Sequence, residues 1–235
     1  MIEWLLLIVV AWIASTMSGI AGFGGSLLVL PVFTRVVGAK RAIPLLTVSW
    51  LMGNFSRAVF GFRDIRWKPV VYFSAGAVPA AIIGAQLFVE LPTGLIMKGI
   101  GAFLLLAVVA RHTPLNRELP PAWLVPVGAL VGFLSALIGS AGPLGAAAFL
   151  SLNLPPPAYV ASEAVTAVLM HLTKAVMYEQ YNLITTADLE MGFVVGLAMV
   201  AGSWTSRRFL TKIPGRRFSI AVECLLVVVA LTMLF

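Results

Sequence analysis

Two basic residues lie inside apolar stretches of this sequence, where a charge is expensive. Arg57 follows Asn54 by three positions, and Lys174 follows His171 by the same spacing. Residues three apart share one face of a helix, so each couple presents a hydrogen-bonding group beside a cation. Because a charge within a membrane segment is a functional hypothesis by default, the two couples predict an anion-binding site. The alternative for Arg57 is snorkelling to the headgroups, since its apolar stretch ends close by at Gly61.

Two glycine- and serine-rich breaks in long apolar stretches form the second part of this prediction. The first break, at 18–26, reads SGIAGFGGS, and its counterpart at 135–143 reads SALIGSAGP. The four glycines of the first break would destabilise a continuous helix by about 1 kcal/mol each. A broken helix exposes backbone N–H groups and the positive end of a helix dipole, both of which attract anions. The alternative is that the glycines only pack helices together.

The predicted substrate-binding residues combine the breaks and the polar couples. They are Ser18, Gly22, Phe23, Gly24, Gly25, Ser26, Asn54, Arg57, Gly139, Ser140, Ala141, Gly142, His171 and Lys174.

Proton coupling is a weaker hypothesis, carried by His171 and Glu163, which lie on the stripe that leads to Lys174. The alternative places Glu163 at the water interface and makes His171 a hydrogen-bonded helix contact. The sequence contains no Walker loop, no pair of histidines at metal-binding spacing and no serine in a nucleophile elbow. We therefore expect no enzyme, no cofactor and no metal site.

The elements that must position these residues are membrane helices. Sixty per cent of the 235 residues are hydrophobic and only 11% are charged, whereas a soluble domain carries about a quarter charged residues. This composition predicts an all-α, polytopic membrane protein. The net charge of +7 is assigned to membrane orientation and lipid headgroups rather than to nucleic acid. The apolar blocks are 4–33, 42–61, 69–89, 94–110, 122–152, 159–178, 190–205 and 218–235.

The amino-terminal block resembles the apolar region of a signal peptide but is expected to stay in the mature protein. Glu3 stands where a basic region belongs, and the apolar character continues to Phe33. The single cysteine, Cys224, leaves no partner for a disulfide within one chain.

The sequence reads as a tandem duplication. A shift of 117 positions places Gly22 on Gly139 and superposes the two polar couples, Asn54 on His171 and Arg57 on Lys174. The expected division is a first repeat at 1–111, a linker at 112–121 and a second repeat at 122–235 within one integrated membrane domain.

Loop charges favour inversion of the two repeats. Loop 34–41 is basic where its counterpart 153–158 is not, and loop 62–68 is basic where 179–189 is not. If each long first block is broken or re-entrant, most basic loops share the cytoplasmic side, although 34–41 then lies outside. The alternative is eight simple spans with parallel halves. In the broken or re-entrant arrangement, not in this alternative, the loops on the cytoplasmic side carry ten Lys or Arg and are 62–68, 111–121 and 206–217.

The glycine stretch at 18–25, its repeat at 135–143 and the pattern around Gly202 and Pro214 resemble the TauE/SafE family, also called the sulfite exporter family. The resemblance extends over essentially the whole chain. It implies transport of small sulfur-containing anions such as sulfite, sulfoacetate or thiosulfate, usually as export across the bacterial inner membrane. Family members differ in substrate, so a small anion is implied more firmly than sulfite itself.

We therefore expect a secondary transporter that holds a small anion near the membrane midplane between the two breaks. Its partners are the anion and the lipid bilayer, with no nucleic acid. One alternative is an anion channel that uses the same residues. The other is a membrane scaffold without transport, in which the glycines serve only helix packing.

Overall fold

The apolar blocks form helices, because in lipid each backbone polar group must be satisfied within the protein. A computed structural model describes residues 2–21, 25–112, 120–209, 227 and 230–231. Within these residues the regular elements are helical, and short 3-10 turns at Phe62–Asp64 and Pro121–Trp123 precede α4 and α6. The helices are α1 (Ile2–Ala21), α2 (Gly25–Val37), α3 (Ala39–Phe60), α4 (Trp67–Glu90), α5 (Thr93–His112), α6 (Leu124–Ile138), α7 (Gly142–Leu150), α8 (Pro156–Gln180) and α9 (Thr186–Phe209).

Four helices are long and apolar enough to cross a membrane, counted over the described residues. The number of these helices, together with their length and apolar composition, confirms the prediction of a polytopic helical membrane protein. These candidate spans are Trp67–Glu90, Pro121–Ile138, Pro156–Gln180 and Thr186–Ser206.

Each of the two long apolar blocks is divided between two helices. In the second block, α6 ends at Ile138, Gly139 has a φ of +90°, and α7 begins at Gly142. Pro143 lies in the first turn of α7, where its missing N–H removes no hydrogen bond. In the first block, α1 ends at Ala21, inside the first break, and α2 begins at Gly25.

The short helix α7 runs back beside α6. A Cβ atom at Gly145 would lie 3.7 Å from Val131 Cγ1. Near the end of α7, the Phe149 ring packs on Phe73 of α4 with a centroid distance of 5.4 Å. Phe73 also contacts the first half of α6 at Gly128, so α7 and the first half of α6 pack on the same residue of α4.

Contacts between the long helices define their relative directions. In α3 and α9, Arg41 pairs with Asp188 and Arg57 contacts Ser203, so both helices run the same way.

The directions of α3 and α8 are opposite. The Trp50 ring packs on His171, whereas Gly61, just after α3, lies against Ala161, earlier in α8.

Helices α4 and α8, in turn, run parallel. The N–H of Arg66, just before α4, donates to Ser162 Oγ, and the Phe88 ring packs on Tyr178 near the far ends of both helices.

The backbones of α4 and α6 approach one another closely at glycines. A Cβ atom at Gly128 would collide with the carbonyl oxygen of Phe73, and one at Gly132 would collide with that of Ala77. Small residues that allow this approach are typical of membrane helix interfaces. Gly76, on the facing side of α4, would collide with the Val125 carbonyl in the same way. The seam fixes α6, and therefore the break at Gly139, against α4.

We expect Gly132→Ala to destabilise this seam, because the added methyl group must push two backbones apart. Overpacking of this kind costs about 1–3 kcal/mol. The matched control is Gly94→Ala, since a Cβ at Gly94 meets nothing within 4 Å. Thermal unfolding of the detergent-purified protein, followed by loss of the monodisperse peak, should show a lower midpoint for Gly132→Ala alone. Equal midpoints for the two variants would contradict this packing.

Candidate functional site

Lys174 is fully buried and bound to the end of α6, one side of the break. Its Nζ donates to the carbonyl oxygen of Ser135, to Ser135 Oγ and to the carbonyl oxygen of Gly139, each at 3.1 Å. An ammonium has three donors, so the protein provides one acceptor for each. The last carbonyls of a helix lack intrahelical partners and carry the negative end of its dipole. Lys174 therefore stabilises the end of α6 at the break.

Trp50 and His171 complete a buried polar cluster with Lys174, which we call the central cluster. The ring centroids of Trp50 and His171 are 5.6 Å apart, and Lys174 Nζ lies 5.6 Å from the Trp50 ring centroid, within cation–π range. Both rings are more than nine-tenths buried. Trp50 Nε1 and His171 Nδ1 are buried without a hydrogen-bond partner among the described residues. Among the described residues, Ser74 Oγ is also buried without a partner, but only Trp50 and His171 belong to rings in contact with each other.

The central cluster is connected through Asn54 to Arg57. Asn54 Nδ2 donates to the carbonyl oxygen of Trp50 at 2.9 Å, and Asn54 Oδ1 accepts from Arg57 Nη1 at 3.3 Å. Arg57 Nε also donates to Ser203 Oγ of α9 at 3.4 Å. Arg57 and Lys174 therefore have different surroundings, since Arg57 joins α3 to α9 and Lys174 joins α8 to α6.

Arg57 also borders a cavity of about 270 Å³ where α3 ends, α8 begins and α9 ends. Glu163, one of the two predicted proton carriers, interacts electrostatically with Arg57. The other, His171, lies in the central cluster. Glu163 is therefore associated with Arg57, whereas His171 belongs to the central cluster.

An ion pair joins the starts of α3 and α9, at the end of the bundle away from Arg57. Arg41 Nε lies 2.6 Å from Asp188 Oδ1, and Asp188 is buried whereas Arg41 is half exposed. Asp188 Oδ2 also accepts from the N–H and the hydroxyl of Thr185 just before α9. Beside this pair, Lys40 Nζ donates to the carbonyl oxygen of Val89 at the end of α4, at 2.8 Å.

The predicted residues of the second break lie next to the central cluster through Gly139. Ser140 and Ala141 are buried, and the Gly142 N–H donates to Ser140 Oγ at 3.4 Å. In the first break, Gly22, Phe23 and Gly24 lie outside the described residues, as do the side chains of Ser18 and Ser26. The structure thus brings together His171, Lys174 and Gly139. Arg57 lies outside this group and is connected to it through the side chain of Asn54.

Sequence reasoning missed Trp50 and the role of Ser135 as a lysine partner. A signal for Trp50 was present, because Trp50 lies in the middle of an apolar block, whereas Trp67 and Trp123 lie near block ends as interfacial residues do. No three His, Cys, Asp or Glu side chains cluster as metal ligands in the part of the chain that the structure describes.

Comparison with protein families gives one match. The family model described as "Sulfite exporter TauE/SafE" matches residues 7–233, nearly the whole chain. Neither the curated proteins nor the solved structures gave a match.

Proposed function

The chain belongs to the TauE/SafE sulfite exporter family, and from this premise we propose that it is a secondary transporter of a small anion. The anion is sulfur-containing or a related organic acid, and the direction is export across the bacterial inner membrane. The anion occupies the central cluster, next to the break between α6 and α7.

The observation that supports this proposal is the pair of unpaired polar atoms beside a buried cation. An unpaired buried donor destabilises a protein by about 1–3 kcal/mol. Trp50 Nε1 carries a hydrogen and can only donate, and His171 Nδ1 donates in one of its tautomers. Two donors beside the Lys174 ammonium suit the oxygens of an anion, which would satisfy both atoms and offset the charge.

Alternating access in this family would follow from repeats inserted in opposite orientations. The shift of 117 positions aligns α3 with α8, and these two helices run in opposite directions. We therefore propose inverted repeats, in which the α6–α7 pair is a re-entrant hairpin. The packing pattern is reciprocal as well, because α1 packs on α9 as α6 packs on α4.

The same helix directions favour a cytoplasmic location for loop 62–68, which is followed by α4 and lies beside the start of α8. Arg63, Arg66 and Lys68 are exposed at this end, as the positive-inside rule expects of a cytoplasmic loop. At the other end, the charge of Arg41 is paired with Asp188 and Lys40 binds a helix-end carbonyl. These contacts support the proposal that loop 34–41 lies on the outer side, where unpaired basic residues are disfavoured.

Coupling of transport to protons through His171 or Glu163 stays a prediction. The location of His171 inside the central cluster favours it over Glu163, because a proton on His171 would directly change the charge presented to the anion.

The test of this site is Trp50→Phe, which keeps an aromatic ring and removes the Nε1–H donor. We expect flux of subsaturating sulfite, thiosulfate or sulfoacetate into proteoliposomes to fall about tenfold, because one hydrogen bond to a charged group contributes about 1.5–3 kcal/mol. The matched control is Trp67→Phe at an exposed interfacial position, which should leave flux within about twofold of wild type.

Equal flux for the two tryptophan variants would remove the central cluster from the transport path. Saturation of the wild-type flux with anion concentration is expected of a carrier. Flux that rises linearly at rates above those of carriers would instead identify a channel.

A further inference from the structure

Loop 62–68 concentrates positive charge at one end of the bundle. The side chains of Arg63, Arg66 and Lys68 are exposed, and none of them forms an ion pair or a hydrogen bond within the part of the chain that the structure describes. Asp64 is the one acidic residue of the loop, and it lines the cavity where α3 ends. Three basic residues and one acidic residue leave the loop a net charge of +2, which a negatively charged partner would offset.

Basic residues at the opposite end of the bundle are engaged within the protein. Arg41 pairs with Asp188, and Lys40 donates to the carbonyl oxygen of Val89. The cations of loop 62–68 are available instead to a partner outside the chain. An exposed charge alone is simply hydrated, so the rigidity and the surroundings of the loop decide what it binds.

The backbone of loop 62–68 is fixed to the start of α8. The Arg66 N–H donates to Ser162 Oγ at 2.8 Å. Ile65, one residue earlier, is buried in a small apolar cluster that includes Ala161 of α8. A partner therefore meets a loop whose backbone is already ordered, and binding does not have to offset the loss of its conformational freedom.

Exposed aromatic rings indicate that this loop lies at the level of the lipid headgroups. Trp67 directly follows Arg66, and its exposed ring is in edge contact with the exposed ring of Phe62, with a centroid distance of 6.3 Å. Trp123, just before α6, is exposed at the same end of the bundle, because α4 and α6 run parallel. Exposed tryptophans at the ends of membrane helices are typical of the interface. The cations of the loop therefore lie at the depth of the lipid phosphates.

We propose that loop 62–68 binds the headgroup of an anionic phospholipid of the bilayer, with the phosphodiester oxygens on Arg63, Arg66 and Lys68. A guanidinium can bind two phosphate oxygens at once, and an ammonium binds phosphate as a point charge. A zwitterionic headgroup is disfavoured, because its own ammonium group would face the cations of the loop. This surface lies apart from the central cluster, so the inference does not depend on which anion is transported.

The experiment compares the binding of phosphatidylglycerol and phosphatidylcholine, with the same acyl chains, to the detergent-purified full chain. Binding is read from the fluorescence anisotropy of a label on one acyl chain. Each basic residue near a membrane surface contributes about fivefold to the affinity for an anionic lipid. We expect phosphatidylglycerol to bind at least about tenfold more tightly, a figure that allows for the opposing charge of Asp64. Equal affinities of wild type for the two lipids would overturn the proposal.

Salt provides a second measurement on the wild-type protein. Raising the salt concentration from about 0.1 to about 1 M shortens the Debye length from about 10 to about 3 Å. The preference for phosphatidylglycerol should then largely disappear, whereas the affinity for phosphatidylcholine should not weaken. A preference that persists unchanged in high salt would show that charge does not select the lipid.

The decisive variant combines Arg63→Gln, Arg66→Gln and Lys68→Gln. It should reduce the preference for phosphatidylglycerol to below about twofold, because the charges that select the lipid are gone. Arg66→Gln alone keeps the backbone N–H that binds Ser162 and should reduce the preference about fivefold, so it tests the site even if the triple variant fails to fold.

The matched control is Lys98→Gln, which removes an exposed charge on α5 far from the loop. Its neighbour Gly99 lies against Ile138 at the end of α6, whereas the loop lies at the end where α6 starts. Lys98→Gln should leave the preference within about twofold of wild type. A preference that survives in the triple variant, or that Lys98→Gln removes, would place the lipid elsewhere. Displacement of phosphatidylglycerol by millimolar inorganic phosphate would identify a site for a soluble anion and overturn the lipid assignment.

Discussion

Lys174→Met should reduce anion flux at least about 100-fold. Lys174 is the cation of the central cluster, and it holds the end of α6 through three hydrogen bonds. Methionine keeps the length and apolar stem of the side chain but removes both the charge and the donors. Truncating one partner of a buried, hydrogen-bonded charge pair costs about 2–5 kcal/mol, which corresponds to a loss of this size.

The matched control for this prediction is Lys40→Met. Lys40 also donates to a carbonyl at a helix end, that of Val89, but it lies at the end of the bundle and is not fully buried. Its removal should change flux by less than about twofold. Flux should be measured in proteoliposomes and normalised to the monodisperse protein, because Lys174→Met also leaves the carbonyls of Ser135 and Gly139 without a donor.

Lys174→Arg separates charge from geometry. Arginine retains the positive charge, but its planar fork cannot match three acceptors arranged around a single nitrogen. We expect a folded protein with flux between those of wild type and Lys174→Met. Flux of Lys174→Met at the wild-type level would show that the anion does not use this cation.

The helices of this protein could be predicted from apolar periods and lengths alone. The block at 42–61 corresponds to α3, and the block at 159–178 corresponds to α8. Both helices begin three residues before their apolar blocks. In α3 the extra turn contains Lys40 and Arg41, whereas in α8 it begins with Pro156 and Pro157, which suit the first turn of a helix. The division of the block at 122–152 near Gly139 could also be predicted, since a dense run of small residues and a following proline disfavour one continuous helix.

The partners of the two buried cations could not be predicted from the sequence. The repeat aligns Arg57 with Lys174 and suggests equal roles, yet Lys174 binds α6 whereas Arg57 binds Ser203 of α9. Such contacts depend on which helices pack together, and apolar periodicity carries no information about that choice. For the same reason, the pairing of Arg41 with Asp188 emerged only from the structure.

Gly139→Ala is the second variant for which we expect a large loss of flux, at least about tenfold. Gly139 has a φ of +90°, which residues with a Cβ rarely adopt, at a cost of about 1–3 kcal/mol. The added Cβ would lie 2.9 Å from Ile43 Cγ1 and 3.1 Å from Leu30 Cδ1, so the peptide or its neighbours must shift. The Gly139 carbonyl is one of the three acceptors of Lys174, and a shift there displaces the cation of the central cluster.

Gly38→Ala is the control, because it introduces the same kind of backbone strain at a position away from the break. Gly38 has a φ of +80°, and a Cβ there meets nothing within 4 Å. Both alanine variants should therefore lower the thermal midpoint, but only Gly139→Ala should lower flux per folded molecule by more than about twofold. If Gly38→Ala lowers flux as much, the effect of Gly139→Ala is general destabilisation. If neither does, the break at Gly139 is a packing feature, and the anion is held elsewhere than beside the end of α6.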